Sequence, residues 1–297
     1  MTTRPLVSRI PNVDGVTHRF VTTPRLTFHI AEYGTGSPLL LLHGWPQHWY
    51  AWRKVIPLLA ADHRVICPDL RGFGWTEAPD DHFATKDFVD DVLSLLDTMG
   101  VTQPLVIGHD FGGRIGFQLG LHAPERVAGL VTLNALHPYG QIRRLLPSAW
   151  RSWWSIPVET RFIGRWFIRH VPAFTRMFLE LGVPGQSLTA LDREEFVQSV
   201  RQPQSALASE RLWHTFAYRE MIPSVLGKYR KVRLSVPTLM LNGTHDFALS
   251  ARSLGGYEPY CDDLSIRMIT GGGHFLAEQH PVLVADAIKD FVNQYNY

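Results

Sequence analysis

The stretch Val106-Ile-Gly-His-Asp-Phe-Gly-Gly113 runs an apolar, strand-like segment into the pattern small–X–Asp–X–small, and an amphipathic segment follows. Such a pattern makes a sharp strand-to-helix turn that holds its central side chain out as a nucleophile. Gly108, Gly112 and Gly113 suit that turn, because side chains there would collide with the adjoining strand or helix. The usual central residue is serine; here it is Asp110. A carboxylate is too weakly basic for amides and ordinary esters, which argues against protease, lipase and esterase chemistry. It can displace a leaving group at a saturated carbon, giving an alkyl ester of Asp110 that water must then hydrolyse.

A plain strand–turn–helix with Asp as N-cap would use the same residue types, so the companions decide. Hydrolysis of the ester needs a base and a group to orient it. Gly243-Thr-His-Asp246 follows one strand-like run and Gly271-Gly-Gly-His274 follows the next. Nucleophile, acid and His therefore occur in the order that a Ser-type turn of this kind uses. His274 is the candidate base, because three glycines let its loop approach the sheet end closely. His245 is a weaker rival, and His280, before Pro281, suits a helix entrance. Asn134 cannot serve as an ionised acid, which leaves Asp246 to orient the base. Leu42-His-Gly-Trp-Pro46 is a tight turn after a buried strand. Its backbone N–H at Trp45, with that of Phe111, is assigned to the oxyanion hole.

These residues need a sheet whose strand ends face one way. Strands are expected at 25–32, 38–42, 64–67, 105–107, 126–133, 238–241 and 264–269. Helices are expected at 85–99, with Thr85 as N-cap and Gly100 as stop, at 111–122 and at 281–294. This alternation predicts a mostly parallel sheet covered on both faces. Between 138 and 224 the strand signal vanishes into Trp-, Arg- and Phe-rich sequence with helix-like pieces at 160–169 and 193–200. The organisation read from this is an α/β core at 1–137, a helical insertion at 138–224, and the rest of the core at 225–297.

With 297 residues, 45% of them apolar, the chain can bury a substantial core without staples. Lysine and arginine exceed aspartate and glutamate by a formal charge of only +2. That sum offers no electrostatic reason to bind a nucleic acid or an anionic membrane. Cys67 and Cys261 lie far apart, in neither a disulfide framework nor a zinc spacing. No apolar run approaches the roughly 20 residues of a membrane span, and residues 1–20 hold no signal-peptide core. The expectation is a cytoplasmic protein without metal or organic cofactor; a homodimer stays open. Nine tryptophans and sixteen phenylalanines suggest an apolar pocket.

His43-Gly-Trp-Pro46, Asp69-Leu-Arg-Gly-Phe-Gly74, Gly108-His-Asp-Phe-Gly-Gly113, Asp246 and Gly273-His-Phe275 together resemble the epoxide hydrolases of the α/β-hydrolase fold. The resemblance covers essentially the whole chain. It implies an eight-stranded, mostly parallel sheet with an inserted helical cap, and a small apolar epoxide as substrate, opened with water to a vicinal diol. It also implies two cap tyrosines that hydrogen-bond the epoxide oxygen. Phe216-Ala-Tyr-Arg219 resembles the second tyrosine site, so Tyr218 is the candidate ring-opening acid. At the first site this chain reads Ser152-Trp-Trp154, and Trp154 stands where a tyrosine is usual. An indole N–H donates a hydrogen bond but gives up no proton as a phenol does. Trp45, Phe111 and Trp154 are the candidate substrate contacts. Haloalkane dehalogenases share the Asp nucleophile and are the alternative, with Trp154 holding halide. They are similar but carry Asn or Glu at the position of Trp45 and Trp at that of Phe111. Haloacetate dehalogenases carry Arg at the latter position. A ligand-binding protein on this scaffold would not need the base.

Overall fold

The computed structural model describes residues 9–185 and 188–297. Residues 1–8, part of the stretch in which no targeting segment is expected, lie outside it. Eight strands form one sheet: β1 (Thr17–Thr22), β2 (Thr27–Tyr33), β3 (Ser37–Leu42), β4 (His63–Pro68), β5 (Leu105–His109), β6 (Gly129–Leu133), β7 (Thr238–Gly243) and β8 (Leu264–Ile269). Their order is β1-β2-β4-β3-β5-β6-β7-β8. The β1–β2 and β2–β4 pairs are antiparallel and all others parallel.

Every residue of β5 and β6 is buried, as expected of apolar runs covered on both faces. Alternation sorts their side chains into two cores. Leu40, Leu42, Val106 and Leu130 pack with Phe88, Val92 and Ile115 of the helices Thr85–Met99 and Phe111–His122. Leu39, Leu41, Ile107 and Val131 pack on the other side with Trp49, Trp52, Val284 and Ile288. The helix Pro281–Tyr295 covers that second face, with His280 at its N-cap and Pro281 in its first turn.

Several boundaries differ from the sequence reading. β1 was not expected: its residues are largely exposed and show no apolar alternation. The 25–32 run starts only at Thr27, because Thr23 closes a turn, accepting from the N–H groups of Arg25 and Leu26. The 126–133 run begins at Gly129, since Pro124–Arg126 forms a 3₁₀ turn. Thr85 is not the N-cap of its helix. Ala84 occupies that position, its N–H donating to Asp87 (2.8 Å), and the Thr85 hydroxyl serves Glu220 instead. Gly100 ends the helix at φ +66°. The piece at 160–169 is the helix Ile163–His170, and that at 193–200 starts earlier, in Ala190–Val200.

Between β6 and β7 no described residue joins the sheet: helices lie between Ile142 and Val225, and Leu234 makes an isolated bridge to Cys261. This insertion is tied to the sheet. Arg53 bridges Asp192 in the insertion (2.8 Å) and Glu278 in the core (2.5 Å), and Phe275 N–H donates to the Gly182 carbonyl. Cys67 and Cys261 are buried free thiols. No helix among the described residues is long and apolar enough to cross a membrane.

Candidate active site

Asp110 caps the junction between β5 and the helix Phe111–His122, with φ +49° and ψ −114°. That conformation is strained for any L side chain, and two close approaches enforce it. A Cβ on Gly108 would lie 2.4 Å from the Gly112 carbonyl oxygen, and one on Gly112 would lie 2.1 Å from that of Leu42. The β3 turn arrives at the same place. Trp45 N–H donates to Asp110 Oδ2 (3.1 Å), and Phe111 N–H also favours the ionised carboxylate. Burial outweighs these donors and the nearby His274, pushing the Asp110 carboxyl up to about 6.

The turn carrying Trp45 is itself anchored. His43 Nε2 accepts from Leu70 N–H (2.9 Å), and burial lowers this imidazole to about 4, keeping it an acceptor. Buried Asp69 accepts from His29 Nδ1 (2.7 Å), Trp49 N–H (2.8 Å) and Trp75 N–H (3.1 Å). The Asp69–Gly74 stretch therefore supports the turn that carries Trp45.

Asp246 follows β7 and His274 follows β8, and both are buried. His274 Nδ1 sits 3.1 and 3.2 Å from the two Asp246 oxygens. Burial alone would lower the imidazole pKa; the Asp246 carboxylate and the charge of Asp110 raise it overall. Burial likewise opposes ionisation of Asp246. His274, Asn134 and Leu249 N–H reverse that and hold its pKa below the ordinary value. His245 is exposed and lies outside this buried cluster.

Two neighbours escaped the sequence reading. Asn134, set aside as an acid, is instead a donor: its Nδ2 reaches Asp246 Oδ2 (2.7 Å) and the Gly273 carbonyl (3.0 Å). Its φ of +47° at the end of β6 aims it there; an Asn closing a strand is the local signal. His109 donates from Nε2 to the His274 carbonyl (2.9 Å), and burial holds its pKa down to about 3.

A cavity of about 760 Å³ contains Asp110, Phe111, His274, Trp154, Trp213 and Tyr218 among its lining residues. The Trp45 indole is not in that wall. It stacks behind Trp154 (centroids 6.1 Å apart, planes 8° apart) and donates Nε1–H to Ser209. Its backbone thus serves Asp110 while its ring packs. Trp154 is 5% exposed, and its Nε1 has no hydrogen-bond partner. Trp213, which the sequence reading did not single out, also has an unpartnered Nε1. Tyr218 lies on a wide helical turn, Phe216–Met221, against His214, and is 57% exposed. Tyr139, at the start of the insertion, spends its hydroxyl on the Val232 carbonyl (2.8 Å). No group of three His, Cys, Asp or Glu side chains among the described residues could hold a metal ion.

The chemistry available is thus a buried carboxylate beside a His–Asp pair, under an aromatic cavity. Relatives share the arrangement's frame. A soluble epoxide hydrolase of Corynebacterium sp. (strain C12) is 28% identical over 296 residues, covering 93% of this chain and 97% of that protein. Epoxide hydrolase 4 of Mus musculus is 29% identical, covering 91% and 77%. The solved structure of the epoxide hydrolase CorEH without ligand superposes with a TM-score of 0.80 at 26% identity, covering 94% of this chain and 99% of that one. The α/β hydrolase fold model matches residues 37–281. With that match spanning most of the chain and the sheet order described above, the chain belongs to the α/β-hydrolase fold family.

Proposed function

We propose that this hydrolase converts apolar epoxides to vicinal diols through an ester on Asp110. The observation that carries the reading is Asp110 at a strained turn, held by the backbone N–H of Trp45 and sharing one cavity with His274. The names of the relatives agree with it. With Oδ2 held by the oxyanion donors, Oδ1 attacks a ring carbon from behind. The carbon–oxygen bond breaks, and the alkoxide takes a proton from Tyr218, with the Trp154 N–H as a further donor. The insertion acts as a cap that supplies both groups. His274, oriented by Asp246, then removes a proton from water as it attacks the Asp110 carboxyl carbon. The N–H groups of Trp45 and Phe111 stabilise the tetrahedral oxyanion. Collapse expels the diol alkoxide, which takes its proton back from His274, and the resulting Asp110 carboxylic acid passes its proton to the Tyr218 phenolate, restoring both groups.

A His274→Gln variant mixed with styrene oxide and acid-quenched should carry one substrate mass on the peptide containing Asp110. An unmodified peptide after complete mixing would overturn the scheme. Hydrolytic dehalogenation is the second reading, favoured specifically by the unpartnered indoles of Trp154 and Trp213. Diol release without bromide release from a terminal bromoalkane decides for the epoxide; bromide without diol decides for the halide.

A further inference from the structure

The small net charge of the chain hides an uneven distribution. Residues 142–169 hold six arginines (Arg143, Arg144, Arg151, Arg161, Arg165 and Arg169) and one acidic residue, Glu159. Among the described residues, Arg165 alone of the six lies within ion-pair distance of a carboxylate, that of Glu210 (4.0 Å). Residues 219–233 add Arg219, Lys228, Arg230 and Lys231, with Arg233 paired to Asp262, against Glu220, which is turned inward onto Arg114 and Thr85. On the same two segments Leu146, Trp150, Trp153, Ile156 and Ile222 line the cavity and are nevertheless 52–70% exposed. Residues that do both form the rim of its mouth. The Arg151 guanidinium lies 5.9 Å from the centre of the Trp150 ring, and Arg143 and Arg219 are exposed beside rim residues.

A rim of indoles and aliphatic side chains edged with arginine has the makeup of an interfacial surface. Indoles settle at the headgroup level, aliphatic groups enter the acyl boundary, and guanidinium groups take lipid phosphates. We propose that this rim docks on an anionic lipid bilayer, so that the cavity opens where apolar molecules dissolve. The expectation against an anionic membrane rests on the summed charge, whereas this proposal rests on the local charge. A second copy of the chain is the rival occupant. A two-fold contact through this rim would set its arginines against one another, which disfavours it.

The full chain, with no substrate present, is sedimented with vesicles of equal parts phosphatidylcholine and phosphatidylglycerol, and with phosphatidylcholine alone. This keeps the outcome separate from that of the reaction on Asp110. The expected result is binding to the mixed vesicles only, weakened by salt, with a blue shift of tryptophan emission. Reversing two charges (Arg143→Glu with Arg219→Glu) should lower partitioning at least roughly twenty-fold. Trp150→Ser with Trp153→Ser should lower it and remove the blue shift, with thermal melting checking that both variants fold. Equal sedimentation with both vesicles, or none, overturns the proposal. So does a doubled mass in solution without vesicle binding, which would give the rim to a second copy.

Discussion

On the proposed mechanism, Asp110 has to be charged in a place that resists charge. Its carboxyl ordinarily ionises at 3.8 and in the fold is pushed up to about 6. The folded state therefore holds the proton more tightly than the unfolded chain. Its contribution to stability is full below pH 3.8 and lost as pH rises through 6. Asp110→Asn should abolish activity yet raise stability at pH 8 by about 2–3 kcal/mol, and far less at pH 4, in urea unfolding. Activity of the native chain should fall as pH drops through about 6, since the protonated carboxyl no longer attacks. Asn134→Ala should slow ester breakdown more than ester formation, because its partners are Asp246 and the His274 loop. Losing a buried donor of about 1–3 kcal/mol predicts a roughly ten- to hundred-fold lower kcat, with a larger burst of Asp110 adduct in rapid-quench traces. Asp110, Asp246 and His274 could be picked from residue type and from turns after apolar runs. Asn134 left only the faint signal of an Asn closing a strand, and His109 and Trp213 left none, because their meaning lies in contacts across long stretches of chain.

At the level of elements, legibility followed burial. β3, β5, β6 and β7 are apolar on both faces, so each announces itself as a short run bounded by turns. β1 sits at the sheet edge, largely exposed, and nothing in its residues has to alternate. Helix starts were misread where tertiary contacts override local capping, as at Thr85, whose hydroxyl is claimed by Glu220. The join between insertion and core was equally invisible. Arg53 is 8% exposed and satisfies Glu278 with two nitrogens while also reaching Asp192. Removing it leaves Glu278 buried with only the partly exposed Lys54 as a cation. Arg53→Leu should cost about 3–5 kcal/mol, read as a lower urea midpoint. Adding Glu278→Gln should restore part of the loss if the stranded charge is its cause.

For the whole molecule, the fold class followed from alternating strands and helices interrupted once, while the charged, apolar rim of the cavity became visible only after folding gathered it. The interruption has a consequence for how the chain is made. β6 ends at Leu133 and its neighbour β7 begins at Thr238, so about a hundred residues of insertion are synthesised between them. At about 5–20 residues per second, β6 waits roughly 5–20 s on the ribosome with one edge unpaired. Every residue of that strand is apolar, small or β-branched, the kind of edge that recruits other chains. A chain cut after Val225 should pellet as aggregate where the full chain stays in the supernatant. On the proposed mechanism, Asp110 is also made long before His274, so an unfinished chain that folded this far would be alkylated once and never released. Completion of the sheet and completion of the proposed Asp110–Asp246–His274 set thus arrive together, with the last two strands.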